Sequence, residues 1–272
     1  MYKNLKSLLL GVSFLLATAT GVQAQPSASA PPLEVGFLYV APLTDMGWVR
    51  QHETGRQRLE QQLNRNGTQV QTTYVENVAE GADAERVIRD LARQGHRIIF
   101  TPSFGYMEPT MKVAAEFANV KFESITGYKR STNVATANAR YYEGRYLAGI
   151  AAGRSSQTGV MGYVAGFPIP EVLQGLNAFT LGARSVRPDA EVRVIWLQNW
   201  FDPAREREAA MTLMNQGADV LAFHTGSSAV MMAAQERGKM AIGYHSDMRH
   251  MAPEAQLLSV THHWGDYYTR RV

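Results

Sequence analysis

Trp48, Phe104, Phe167 and Trp200 each stand in a short loop just beyond an apolar run, a placement that leaves flat aromatic faces at the ends of strands. Asp45 and Asp247 stand in loops of the same kind and offer anionic acceptors. Flat apolar faces combined with acceptors suit a planar ligand bearing ring N–H donors better than a sugar phosphate or a peptide. Stacking a base on an aromatic ring contributes roughly 1–3 kcal/mol per face, so two such faces would dominate the affinity. Tyr39, near the end of the first apolar run, and His224, at the end of a later one, complete the expected ligand-facing set. Taken singly, Phe104 and Phe167 are as well explained as covers for a core edge. Trp48 and Trp200 lean to the ligand, because Pro and Asp mark their loops.

Two other chemistries compete with this reading. His224, His245 and His262 each follow a strand of the second half, and three neutral imidazoles at one sheet edge make an alternative zinc site. No Cys or His-rich loop supports that alternative, and no metal is assigned. Catalysis by thiol is excluded because the chain has no Cys. There is no G-x-S-x-G, no H-E-x-x-H and no Gly-rich phosphate loop after Val40, so neither an enzyme nor a cofactor is expected.

The elements that must position these groups read as alternating strands and helices. Val35 to Val40 is too short and too β-rich for a buried helix, and Pro42 removes a donor where ladder pairing should stop. The loop Ala41 to Trp48 then falls beyond a strand's carboxyl end, where open α/β sheets hold ligands. A helix over Glu53 to Asn64 and a strand over Val70 to Val75 follow. Ala84, Val87, Ile88, Leu91 and Ala92 recur at helical spacing and stop at Gly95, after which the strand Arg97 to Thr101 delivers Phe104. A helix over Met111 to Ala118 and strands at Val120 to Ile125 and Asn133 to Ala137 complete a first lobe, 33–140. Gly144, Gly149 and Gly153 thin one face of a connecting helix and hinge, 141–158. The rhythm then restarts, because ADAERVIRDLARQGHRIIF is matched by PAREREAAMTLMNQGADVLAF, each a helix closed by Gln-Gly before a strand. Strands at Val160 to Ala165, Val192 to Leu197, Val220 to Phe223, Met240 to Tyr244 and Leu257 to Val260 give a second lobe, 159–272. The expected fold is α/β, with two doubly wound Rossmann-like lobes joined by a hinge and the ligand between them.

The 272 residues carry a formal charge of +3, two units of which belong to Lys3 and Lys6. So mild a balance gives no reason to expect a nucleic-acid partner. Lys3 and Lys6, the apolar stretch Leu8 to Ala19 and the small residues around Ala24 read as an export signal over 1–24. That stretch of about a dozen residues falls short of the roughly 20 that span a bilayer, so no membrane anchor is expected. Gln25 to Pro32 reads as a flexible leader. Without Cys there is neither a lipid-modified Cys nor a disulfide, and the expected product is a soluble monomer outside the cytoplasm.

Five blocks carry a family resemblance: LEVGFLYVAPLTDMGW, TPSFGYMEPT, FESITGYKRSTNVATANARYYEGRYLAGIAAG, GYVAGFPIPEVLQGLNAFTLGARSVRPDAEV and IGYHSDM. From about Leu33 onward the chain resembles the basic-membrane-protein (BMP) family of ABC-importer substrate-binding proteins, in its non-lipidated branch. The resemblance implies a type I periplasmic-binding-protein fold and a periplasmic receptor that closes on a purine base or nucleoside. It implies adenine as the foremost ligand and the permease subunits of an ABC transporter as partners. The family's first-loop Asp and aromatic fall on Asp45 and Trp48, its base-stacking aromatic on Trp200, and its acidic loop on His245 to Asp247. Three positions depart from the family pattern. His245 stands where an acidic residue is usual, Gly226 where Asp or Asn is usual, and His262 where Lys or Asn is usual, and such polar differences bear on specificity. The family layout also continues beyond Val272. The second lobe is therefore expected to be C-terminally truncated, and the segment from Gly265 to fray for want of an element to bury Tyr267, Tyr268 and Val272.

Overall fold

The structure, a computed structural model, describes residues 31–272. The expected export signal, and the leader apart from Pro31 and Pro32, lie outside the described residues. Among the described residues no helix is long and apolar enough to cross a membrane.

In the first lobe β1 (Leu33–Leu38), β2 (Val70–Val75), β3 (Ile98–Pro102), β4 (Lys121–Ile125) and β5 (Val134–Ala137) form one sheet in the order β2-β1-β3-β4-β5. All its pairings are parallel. The crossovers are α1 (Trp48–Arg65), α2 (Ala82–Arg93) and α3 (Met107–Glu116). Side chains alternate across the sheet as a pleated strand requires. Leu38, Ile99 and Phe122 meet Ile88 and Leu91 of α2 on one face, while Val35, Phe37 and Phe100 meet Leu59 of α1 on the other. Two helices begin earlier than their periodicity indicates. Trp48 is the first residue of α1 rather than the end of a loop, and α3 starts at Met107 because Pro109 sits in its first turn, where a missing N–H costs nothing.

The second lobe repeats the plan with β6 (Val160–Ala165), β7 (Glu191–Trp196), β8 (Val220–His224), β9 (Met240–His245) and β10 (Gln256–Thr261). Read as β7-β6-β8-β9-β10, its order is that of the first sheet, again parallel throughout. Its helices are α5 (Pro170–Val186), α6 (Pro203–Asn215) and α7 (Ala229–Glu236). Between the sheets runs α4 (Tyr141–Ser155), whose small residues let it lie close on α5. A Cβ on Gly149 would stand 2.0 Å from the Phe179 carbonyl oxygen, and one on Gly182 would stand 2.0 Å from that of Tyr146.

The last element, α8 (Gly265–Arg271), corrects the expectation of a frayed end. It leaves the second lobe and packs on the first, where Tyr268 is fully buried with its ring 5.2 Å from that of Phe37 and 4.5 Å from that of Phe100. Gly55 of α1 makes room for it, since a Cβ there would come within 3.0 Å of both Trp264 and Tyr268. The buried carboxylate of Glu123 in β4 accepts from Tyr267 Oη at 2.6 Å and from Arg271 Nε at 2.7 Å. So short a helix is unstable alone, and tertiary burial is what holds it.

Candidate functional site

Because every strand is parallel within its sheet, the loops leaving the carboxyl ends of each sheet gather at one edge, and the two edges enclose a common cavity. The space between the edges, its solvent-open mouth included, amounts to about 560 Å³. The first lobe lines it with Pro42, Thr44, Trp48, Ser103, Phe104 and Thr126, the second with Ile169, Glu171, Trp200, Phe201, His224 and His245. Contacts close the lobes around it. Gly47 N donates to Ser246 Oγ at 3.2 Å, Gln51 Nε2 donates to the same oxygen at 3.0 Å, and Trp200 Nε1 donates to Glu80 Oε1 at 3.1 Å.

Of the expected residues, Trp48, Phe104, Trp200 and His224 meet at this cavity. Trp48 Nε1 donates to the Pro102 carbonyl at 2.8 Å, so both indole N–H groups are spent on protein acceptors. What the two indoles present to the cavity is ring surface. Phe167 lies outside the wall and packs on Trp200, with ring centroids 4.9 Å apart.

Three expected residues are elsewhere. Tyr39 is buried in the first lobe and donates to Glu53 Oε2 at 2.9 Å, with burial first and Glu53 second pushing its phenol well above the ordinary range. Asp45 has a side chain 97% exposed, with Arg50 at 4.0 Å. Asp247 is exposed too, and its Oδ1 ties down its own loop by accepting from Gln256 Nε2 at 2.6 Å and Arg249 N at 3.0 Å. Both carboxylates turn to water because burying an unpaired charge costs far more than solvating it.

The carboxylate at the cavity is Glu171, in the first turn of α5, where the helix N-terminus favours negative charge. Its side chain is 8% exposed, and its Oε1 stands 3.3 Å from Nε2 of His224. Burial pulls the His224 imidazole below its usual value, and Glu171 offsets only part of that. A neutral His224 donating from Nε2 keeps an accepting lone pair on Nδ1. Neither His224 Nδ1 nor Glu171 Oε2 has a protein partner. The polar atoms left over at this wall are therefore acceptors.

The zinc alternative fails on geometry. Trp264 Nε1 donates to His262 Nδ1 at 2.7 Å, which puts the proton of His262 on Nε2, 3.0 Å from His245 Nδ1. His245 in turn carries its proton on Nε2 and donates to the Thr225 carbonyl at 3.1 Å. The next peptide N–H, that of Gly226, donates to the Trp200 carbonyl at 2.7 Å. Each accepting lone pair on these two rings is thus occupied, and burial holds both imidazoles neutral, His262 down at about 3. Among the described residues no cluster of three or more His, Asp or Glu side chains could hold a metal ion.

Two cavity residues sit in left-handed backbone, Thr126 at φ 69° and His245 at φ 68°. A side chain held there stores on the order of 1–3 kcal/mol of strain, and such strain clusters at binding sites. The Thr126 hydroxyl is buried and unpartnered. Sequence spacing singles out neither Thr126 nor Glu171, nor Glu80 behind Trp200. The one available signal is Pro170-Glu171 just after a strand-end loop, which reads as a helix start aimed at the sheet edge.

Comparison with known proteins agrees with this architecture. The chain is 49% identical over 258 residues to a purine-binding protein of Brucella abortus (strain 2308), an alignment covering 94% of this chain and 73% of that one. It is 38% identical to a putative ABC transporter glucose-binding protein of Haloferax volcanii, over 87% of this chain and 59% of the relative. The crystal structure of a solute-binding protein of an ABC transporter system from Aeropyrum pernix K1 superposes with a TM-score of 0.75 at 24% identity, covering 88% of this chain and 69% of that one, a likeness of fold alone. A transcriptional activator of the comK gene from Bacillus halodurans superposes at 0.68 with 26% identity, over 87% and 80% of the two chains. Residues 33–272 match the family model described as ABC transporter substrate-binding protein, PnrA-like, and the chain belongs to that Bmp family.

Proposed function

We propose that this chain is the receptor of an ABC importer outside the cytoplasm, and that its cavity takes a purine, adenine foremost, for delivery to the permease. One observation carries the reading: Trp48 and Trp200 reach the same cavity from opposite lobes with only their ring faces to offer. A purine between them gains roughly 1–3 kcal/mol per stacked face. Glu171 Oε2 and His224 Nδ1 supply acceptors for ring and exocyclic N–H groups, which a bare hydrocarbon ring lacks. Thr126 adds a hydroxyl from the other lobe. The Brucella relative's name and the residues shared with the family support the same ligand class. Desolvating one small ligand from two sides favours the closed lobes, so binding and closure go together.

Tryptophan fluorescence tests this directly. Titration with adenine, guanine, hypoxanthine and their nucleosides should change the emission, with adenine binding tightest. Emission that responds to glucose and to none of the purines would overturn the reading.

A further inference from the structure

Glu80 lies in the loop between β2 and α2, one residue before Gly81, which turns the chain into the helix at φ 92°. It is half-buried, and its Oε1 accepts three hydrogen bonds. Ser103 Oγ donates at 2.5 Å and Gly105 N at 3.2 Å, both from the turn between β3 and α3 of the same lobe. The third donor, Trp200 Nε1 at 3.1 Å, belongs to the other lobe. Space for the carboxylate is made by Gly105, since a Cβ there would stand 2.1 Å from Glu80 Cδ. The ring neighbours of Trp200 are residues of its own lobe, Phe167 at 4.9 Å and His224 at 6.4 Å, and Gly166 lets the indole lie flat on the strand end.

We propose that Glu80 is a positioning residue: it holds the indole of Trp200 against the cavity by a charge-assisted hydrogen bond that exists only when the lobes are closed. Two donors from its own lobe fix the carboxylate in advance, so the bond to Trp200 forms without ordering a free side chain. Rotation of the indole out of the wall breaks it, and so does separation of the lobes. Stacking on Trp200 and closure thereby become one event. The proposal rests on the cavity being the ligand site.

The test has two arms. In protein labelled with ¹⁵N and saturated with adenine, the indole N–H resonance of Trp200, identified by its loss in Trp200→Phe, should be slow to exchange with solvent, and quicker to exchange without ligand, when the lobes part. It should shift and become exchange-labile in Glu80→Ala, and Glu80→Gln, which keeps an acceptor oxygen, should preserve most of the protection. In the second arm, adenine affinity is measured for the double-mutant cycle of Glu80→Ala and Trp200→Phe. Glu80→Ala should weaken binding about tenfold alone, the scale of one charge-assisted hydrogen bond, and less than twofold in the Trp200→Phe background. Equal losses in both backgrounds would show that Glu80 serves only the Ser103–Gly105 turn. A Trp200 resonance indifferent to Glu80→Ala would overturn the proposal as well. If the wild-type protein binds glucose and no purine, the purine reading falls, and the first arm repeated with glucose still decides the role of Glu80.

Discussion

In the first lobe β4 runs into Thr126 at φ 69°, and in the second its counterpart β9 ends on His245 at φ 68°. The outer strands match as closely, β2 leading to Asn77 at φ 56° and β7 to Gln198 at φ 54°. The paired helices stop alike, at Gly95 with φ 96° and Gly217 with φ 99°. In each, the residue after that glycine donates back to a carbonyl of the last turn, His96 to Leu91 and Ala218 to Leu213, a Schellman closure. The lobes share a backbone down to its strained positions, and they differ in what hangs from it. At the cavity both lobes offer rings, and to these the first adds the hydroxyls of Thr44, Ser103 and Thr126, whereas the second adds a carboxylate and imidazoles. Strand-end geometry is set by topology, which leaves recognition chemistry free to differ between halves.

The strongest way to break this pairing of lobes is to keep them apart. Gly47 has φ 90°, and a Cβ on it would stand 2.0 Å from the Gly226 carbonyl oxygen across the cleft. Gly47→Ala should lower adenine affinity at least a hundredfold, about 2.7 kcal/mol, and leave the protein expanded in small-angle scattering even with ligand present. Second in size is the charge of the second lobe. Glu171→Ala should cost about 1.5–3 kcal/mol of adenine affinity by calorimetry, more than Thr126→Val, which removes only a neutral hydroxyl.

The matched left-handed positions sharpen the comparison further. Thr126→Gly relieves strain of about 1–2 kcal/mol against an entropic cost of about 0.5–1 kcal/mol, so its melting temperature should hold or rise. His245→Gly relieves the same strain but cuts the chain from Trp264 to Thr225, and its melting temperature should fall. A fall in both would mean that the backbone alone decides. Stability should also depend on pH. Burial lowers the proton affinity of His52, His245 and His262, so the unfolded chain takes up protons first as pH drops below 6.5. Stability from these groups is therefore full above 6.5 and is lost as pH falls toward about 3, the value for His262 in the fold. Thermal melts across that range should show the decline, and His262→Gln should flatten it.

Much of the scaffold was legible because its signals are local. The helical spacing from Ala84 to Ala92 and the Gln-Gly stops at 95 and 217 need no tertiary knowledge, and each corresponds to an observed element. Trp48, Phe104 and Trp200 were legible as strand-end aromatics for the same reason. Asp45 and Asp247 were misread because the direction of a loop carboxylate depends on what the opposite lobe supplies, and here it supplies nothing to pair with them. Glu171 escaped notice because a first-turn glutamate looks like ordinary helix capping until His224 is found beside it. The apolar face of α8 was misjudged for a related reason, since its cover, Phe37 and Phe100, lies more than 160 residues away in the chain.

The sequence of donors running from Trp264 through His262 and His245 to the Thr225–Gly226 peptide and on to the Trp200 carbonyl has a single sense. Each group donates to the next in one order, so each bond polarises the next instead of opposing it. The result is a fixed order of donors from the start of α8 to the loop that carries Trp200, with no net charge on any member. An imidazolium at the same place would give a stronger field, at the desolvation cost of a buried ion. The ends of this order of donors hold it in place, since the Trp264 indole N–H can only donate and the Thr225 carbonyl only accept, so a change of tautomer in either ring would set N–H against N–H or lone pair against lone pair.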